Sequence, residues 1–309
     1  MLILINPNAS GGTALRKWDS VKHDLMNKLN NPAFVFLNGA GSMQTIVGDA
    51  LNKGETDFIS AGGDGTLNLM LNSIITSSAA SQINKIKIGA VGLGSSNDFY
   101  KPCSIDKMIK KIPVKIDFEN PEFRDVGKIT FETDGIVKSK YFLINSSIGI
   151  TAEANYLFNN PDKILSSLKR RSTSSAIIYT ALKKILNYKN FNAEIVSKET
   201  GIVKAKVTNL GIIKNPNFSG SMSYGYNANY ENGLFNIHLC YEMNLMERFK
   251  LFLALNAGKF GQVEKTKSWA TGNLVIKSSK PFSVEFDGEI ITSNSVEFSV
   301  LPKLIKVCK

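Results

Sequence analysis

Histidine and cysteine are scarce in this chain of 309 residues, and that scarcity removes whole classes of chemistry. The two histidines, His23 and His238, are far apart and neither adjoins a candidate nucleophile, so a histidine-based triad finds no support. The three cysteines, Cys103, Cys240 and Cys308, form an odd, widely spaced set that fits neither a disulfide framework nor paired zinc ligands. A reducing cytoplasm is the expected setting. No apolar run is long enough to span a bilayer, and Met1 to Ile5, cut short by Asn6-Pro7, is too brief for a signal peptide or an anchor. Internal repeats and low-complexity linkers are missing too. Acids are the minority charge, 26 against 37 Lys and Arg, and the net charge of +11 implies attraction to an anionic nucleotide, nucleic acid or membrane surface without choosing among them. Catalysis is therefore expected to rest on the few carboxylates that are placed in special turns.

What is present is enough apolar material, 43% of the chain, for two ordinary domains. Short apolar runs at Leu2 to Ile5, Ala33 to Leu37, Asp57 to Ser60 and Ile86 to Val91 predict the strands of a parallel sheet. Helical spacing of Leu15, Trp18, Val21, Leu25 and Leu29, and again of Leu67, Met70, Leu71, Ile74 and Ile75, predicts helices between them. From about Val114 the pattern changes to β-branched strands such as Ile202 to Ile213, Leu234 to Tyr241 and Phe282 to Phe286, with helical stretches around Ser174 to Leu186 and Leu245 to Ala257. The expected architecture is an α/β domain over residues 1–113 and a β-rich antiparallel domain over 114–309, whose last segment is a candidate for returning to the first.

Three glycine turns follow expected strands of the first domain. Asn6-Pro7-Asn8-Ala9-Ser10-Gly11-Gly12 stands before a helix, where backbone amides and the positive end of a helix dipole can hold a phosphate; the plain alternative is a tight turn with Ser10 as helix cap. Gly62-Gly63-Asp64-Gly65-Thr66-Leu67-Asn68 adds an acid, which beside a triphosphate makes sense if a magnesium ion or a reacting hydroxyl lies between; otherwise Asp64 is a cap. Gly92-Leu93-Gly94-Ser95-Ser96-Asn97-Asp98-Phe99 repeats the logic, and three such turns at one end of a sheet predict a ligand crevice. Far downstream, Phe286-Asp287-Gly288-Glu289 reads most simply as a hairpin with a solvated Asp-Gly corner, yet phosphoryl transfer to an alcohol uses a carboxylate as proton acceptor, so Asp287 and Glu289 are base candidates.

Taken in order, Asn6-Pro7 with Ser10-Gly11, the motif at 62 to 68, Gly-Ser-Ser-Asn-Asp-Phe at 94 to 99 and Asp-Gly-Glu at 287 to 289 resemble the diacylglycerol kinase catalytic family, which includes bacterial lipid kinases and sphingosine kinases. Asp125-Val126-Gly127-Lys128, Asn145 with Ser147-Ile148-Gly149, Phe218 to Tyr224 and Asn232-Gly233-Leu234 extend the likeness over nearly the whole chain. The resemblance implies ATP contacts at Asn6, Pro7, Asn8, Ala9, Ser10 and Gly11, at Gly63, Asp64, Gly65, Thr66, Leu67 and Asn68, at Ser95, and near Asn38. It implies an acidic network of Asp64, Asp98 and Asp125 around magnesium and water, and a base, Glu289 ahead of Asp287, contributed by the second domain to an active site in the interdomain cleft. It further implies a separate magnesium site on the loop Asn229 to Leu234, with Asn229, Asn232 and the Leu234 carbonyl as ligands.

Three departures stand out. Leu69 occupies a place usually taken by Glu, Asn232-Gly233 replaces the usual Asp-Gly of the metal loop, and Ser95-Ser96 replaces a pair of threonines. The expected activity is an ATP- and magnesium-dependent lipid kinase, cytoplasmic and peripheral to an anionic membrane. Lys163 to Arg171 and Met246 to Leu253 are the stretches that could touch the bilayer. No nucleic acid partner is expected, and the oligomeric state stays open, a homodimer among the options. Competing readings are an NAD kinase-like enzyme, which shares the glycine motif, and a nucleotide- or lipid-binding regulator weakened by Leu69 and Asn232.

Overall fold

The computed structural model describes residues 1–39, 41–79 and 81–309, and the chain divides into two compact units, Met1–Val126 with Pro302–Lys309 and Gly127–Leu301. In chain order the first unit begins with β1 (Leu2–Ile5), α1 (Ala14–Lys28), β2 (Ala33–Phe36), α2 (Gly41–Asn52), β3 (Asp57–Gly62), α3 (Asp64–Ser77) and β4 (Lys87–Gly92). It continues with β5 (Met108–Ile109), β6 (Ile112–Lys115) and the first residues of β7 (Glu122–Thr133). β1 pairs in parallel with β2 and β3, and β3 in parallel with β4. The central strands β1 and β3 read as unbroken apolar runs because both of their faces are covered, and Ile3, Leu4, Ile5, Phe58 and Ile59 are fully buried, whereas β2 keeps Ala33 and Phe36 exposed. α1 buries Ala14, Trp18, Val21 and Leu25, whereas Leu15, expected on that stripe, is 42% exposed. The division between units lies beyond the change of pattern near Pro113, because β6 pairs antiparallel with β4 through Ala90–Lys115 and Val91–Val114 and so stays with the first sheet.

The second unit holds β8 (Ile136–Phe142), β9 (Asn145–Gly149), α4 (Ile150–Asn159), α5 (Lys163–Arg171), α6 (Thr173–Asn187), β10 (Phe191–Ser197) and β11 (Gly201–Ile213). After them come the short β12 (Asn217–Phe218) and β13 (Met222–Ser223), then β14 (Phe235–Tyr241), α7 (Leu245–Asn256), β15 (Thr266–Thr271), β16 (Asn273–Phe286) and β17 (Glu289–Val307). The sheet is antiparallel, with β9 and β10 sharing the space between β11 and β16: Gly201 to Val207 of β11 pair with β10, Asn209 to Ile213 with β9. Its core is mostly aliphatic around a set of phenylalanines, with Phe142 stacked on Phe235 and edge-on to Phe298. Beyond the second unit, the end of β17 pairs in parallel with β4 of the first, Lys306 with Lys87 and Val307 with Ile88. Among the described residues no helix is long and apolar enough to cross a membrane.

Candidate active site

The three glycine turns leave the carboxyl ends of β1, β3 and β4, and side chains bind them to one another. Asn6 Nδ2 donates to Thr66 Oγ1 at 2.9 Å, joining the first turn to the second. Ser95 Oγ donates to Ser10 Oγ at 3.3 Å, joining the third to the first. Lys17, one turn into α1, donates from Nζ to Ser10 Oγ (3.2 Å), Leu93 O (3.1 Å) and Gly94 O (2.8 Å). Burial lowers the Lys17 pKa from its ordinary value, as expected for an ammonium taken partly out of water. Lys17 escaped the sequence reading, which followed only the apolar stripe of α1; its signal was a cation one helical turn past a phosphate-type loop.

Asp64 opens α3 without capping it, since no side-chain cap forms there. Its carboxylate reaches across instead: Oδ2 accepts the backbone N–H of Asp98 at 3.0 Å and Oδ1 that of Phe99 at 3.1 Å. Asp98 in turn accepts from Ser96 Oγ at 2.6 Å and from Lys101 Nζ. Ser10 likewise caps nothing; it lies in the left-handed region (φ 53°) beside Gly11 and Gly12 and spends its hydroxyl on Lys17 and Ser95. Several glycines serve packing between turns rather than approach to a ligand. A Cβ on Gly94 would stand 2.4 Å from the Gly63 Cα, and one on Gly62 would strike Thr66. Gly11 and Gly12, by contrast, have nothing within 4 Å of a Cβ position.

The remaining expected contacts divide by burial. Asn8 is exposed on the first turn, Pro7 and Ala9 beside it are half-buried, Gly65 is half-buried at the start of α3, and Asn38 is exposed in the connection after β2. Leu67 and Asn68 are buried, and Asn68 Oδ1 accepts from Asn72, so these two side chains serve the interior of α3. The expected acidic network is not assembled as a cage: Asp125 is buried and accepts the backbone N–H of Lys303 at 3.0 Å. Among the described residues no group of three His, Cys, Asp or Glu is arranged to hold an ion. A cavity of about 530 Å³ in this unit opens beside Met1, Lys107, Phe118 and Lys309, at the other end of the parallel strands from the turns.

In the second unit Asp287 and Gly288 form a two-residue hairpin with φ of 44° and 90°, closed by the Phe286–Glu289 pair. The corner is not solvated. Asp287 is 5% exposed, and its carboxylate accepts the backbone N–H groups of Leu143 (2.8 Å), Ile144 (3.0 Å) and Asn145 (3.0 Å). Glu285, which the sequence reading passed over, holds the other side: its Oε1 accepts Gly288 N–H at 2.9 Å and its Oε2 accepts Ser147 Oγ at 2.8 Å. Asn159 Nδ2 donates to Gly288 O at 2.8 Å. Of the three carboxylates on this turn only Glu289 is exposed.

The loop expected to hold a separate magnesium ion does not fit one. Lys214, 1% exposed at the end of β11, points its Nζ to Asn232 Oδ1 (3.2 Å) and Leu234 O (3.0 Å), and Asn229 Oδ1 accepts Glu231 N–H. A dication on those two oxygens would stand some 4 Å from the ammonium, where repulsion is on the order of 8 kcal/mol at an effective dielectric of about 20.

Residues 1–129, which include all three turns with Asp64, Asp98 and Asp125, match the family model of the diacylglycerol kinase catalytic domain. No curated protein matches the sequence. Among solved structures, a Bacillus anthracis strain Sterne protein provisionally described as a diacylglycerol kinase is 18% identical, covers 99% of this chain and 94% of its own, and superposes with a TM-score of 0.72. A diacylglycerol kinase of the same strain is 15% identical over 99% of this chain and 95% of its own, with a TM-score of 0.63. At such identity these likenesses establish the fold, a two-domain one with a β-rich second domain.

A nucleotide fits the turns of the first unit on the observations above. Ser10, Gly11 and Gly12 make a run of left-handed backbone with open space at both glycines, and the 14-residue helix α3 begins at the second turn with its positive end toward it. Magnesium that arrives with a nucleotide keeps phosphate oxygens and waters as most of its ligands and asks for only one or two carboxylates, a demand that Asp64 can meet without an all-protein cage.

Proposed function

We propose that this chain transfers the γ-phosphoryl group of magnesium-bound ATP to a lipid hydroxyl. The observation that carries the reading is the cross-tied set of turns in the first unit, in which Lys17, the Asn6–Thr66 bond and the Asp64 carboxylate bind three loops around an open left-handed backbone. In this reading ATP supplies the phosphoryl group, the first turn and the start of α3 hold its phosphates, and Lys17 and Asp64 set the distance between the turns. Glu289 takes the hydroxyl proton. Asp287 is less suited to that task, because three N–H donors already occupy its oxygens, and it instead fixes the hairpin from which Glu289 projects.

The acceptor's home is proposed to be an anionic bilayer, approached peripherally. On α5 the 60%-exposed Ile164 is flanked by exposed Lys163, Arg170 and Arg171, and on α7 Met246 and Leu253 are exposed, an arrangement in which apolar side chains enter the headgroup region while cations face lipid phosphates.

Transfer of labelled γ-phosphate to diacylglycerol, phosphatidylglycerol, sphingosine and ceramide in mixed micelles, with NAD as control acceptor, tests the class. Labelled lipid that disappears in Glu289→Gln, without loss of thermal stability, is the expected result. Labelled NAD would move the chain to the NAD kinases, and Glu289→Gln with near-wild-type transfer would remove Glu289 from the chemistry.

A further inference from the structure

Lys214 spends its whole side chain inside the protein to bring one ammonium to Asn232 and Leu234. We propose that this ammonium serves the loop of residues 229–234 in place of a dication, so that the loop is cross-linked by a covalently attached cation and takes up no metal. The chemistry of the donors supports the exchange. Asn232 offers a neutral amide oxygen and Leu234 a carbonyl, which suit a single charge with three N–H donors and lack the carboxylate charge that draws magnesium or calcium from water. Asn232 Oδ1 is also shared with the Leu234 N–H at 3.2 Å, so the same oxygen folds the loop and meets the ammonium. A buried ammonium needs hydrogen-bond acceptors, and these two oxygens supply them while the loop keeps this shape, which couples the lysine to the loop.

The cross-link extends to the Asp-Gly-Glu turn. The backbone N–H groups of Lys214 and Asn215 both donate to Asn145 Oδ1 at 3.0 Å and to Ile144 O at 3.1 Å, and Asn145 Nδ2 returns a bond to Asn215 O at 2.7 Å. Ile144 and Asn145 in turn donate their N–H groups to Asp287. Through the covalent side chain of Lys214, these hydrogen bonds join the ammonium to the hairpin bearing Glu289, and Lys214 acts as a positioning residue for it. That second step rests on the kinase reading; the absence of a metal from the loop does not.

The test is thermal melting of the full-length, nucleotide-free protein in EDTA and in millimolar magnesium, calcium or manganese, for wild type, Asn232→Ala, Asn232→Asp and Lys214→Met. The wild-type response to dications should equal that of Asn232→Ala, within about 1 °C. Asn232→Asp should melt higher, through its new ion pair with Lys214, and still respond to dications no more than wild type. Lys214→Met should melt lower by roughly 5 °C, as expected for loss of a charged buried hydrogen-bond donor. A saturable dication-induced rise in wild type that Asn232→Ala abolishes would overturn the proposal, as would a dication affinity gained by about tenfold or more in Asn232→Asp, the expected effect of adding a charged ligand to a metal site. If Lys214→Met fails to fold, the Asn232 variants still decide the matter. Because no turnover is read, a protein that phosphorylates no lipid can still pass or fail.

Discussion

On the proposed kinase reading, replacing Asp64 by Asn should silence transfer, and the structure predicts that it also loosens the first unit. Each Asp64 oxygen accepts one backbone N–H, from Asp98 and from Phe99. Asparagine supplies one acceptor oxygen, so its amide NH₂ must face the other N–H as donor against donor. A hydrogen bond to a charged group contributes about 1.5–3 kcal/mol, and the surviving bond falls to the neutral value of about 1 kcal/mol, so the expected loss is roughly 2–5 kcal/mol. For a protein of this size that corresponds to a fall in Tm of roughly 3–8 °C. Circular dichroism melting without nucleotide measures it, and phosphate transfer measured well below the new Tm separates stability from chemistry. Asp64→Asn melting within about 1 °C of wild type would refute the reasoning, because the carboxylate would then not be what ties the third turn to α3.

Further perturbations separate the other acids and cations. Asp287→Asn should cost roughly 2–4 kcal/mol of stability, because three N–H donors lose a charged acceptor, whereas Glu289→Gln should leave melting unchanged and abolish transfer; equal melting of the two variants would contradict the roles assigned here. Lys17→Met should raise the KM for ATP about tenfold or more with a smaller effect on the lipid KM, since it frees the first turn from the third; an unchanged ATP KM would count against the cross-tie. His238 is held neutral by burial, with its pKa pushed down to about 4 from the ordinary 6.5. As pH falls the unfolded chain takes this proton first, so stability complete above pH 6.5 is lost toward pH 4, by about 2 kcal/mol at pH 5. Urea unfolding at pH 7 and 5 should show that extra loss in wild type and not in His238→Gln; equal losses would refute it.

Much of this was legible in the chain. The parallel strands announced themselves as short apolar runs, and α6 and α7 start and stop within a residue or two of the expected stretches, because their apolar spacing and the Asn244 capping box are local signals. α2 gave no comparable signal: it has only Met43 and Val47 as buried residues. The turns could be found because glycine and aspartate at strand ends are rare and meaningful. Their ties could not, since Lys17, Leu93 and Gly94 meet only once the sheet has formed. The same limit hid Glu285 and misdirected the view of Asp287, whose partners lie 142 to 144 residues earlier in the chain. For the loop of residues 229–234, the family resemblance pointed to the missing carboxylate at Asn232 but not to Lys214, which reaches it from just past the end of β11.

The first unit is also assembled out of order. Its sheet is finished by Lys306 and Val307 against β4, and Ile116 N–H closes on the Lys309 carbonyl, so the unit's last strand is synthesised long after the rest; Asp125 waits for a partner 178 residues further on. During translation the β4 edge therefore stands without that neighbour while the whole second unit emerges, and unpaired edges invite association with other chains. A fragment ending at residue 129, where the family match stops, would keep every glycine turn and still lack the strand that completes its sheet. The first unit is thus not a module that can be lifted out by cutting the chain once; to isolate it, the terminal strand would have to be rejoined to β7 by a linker.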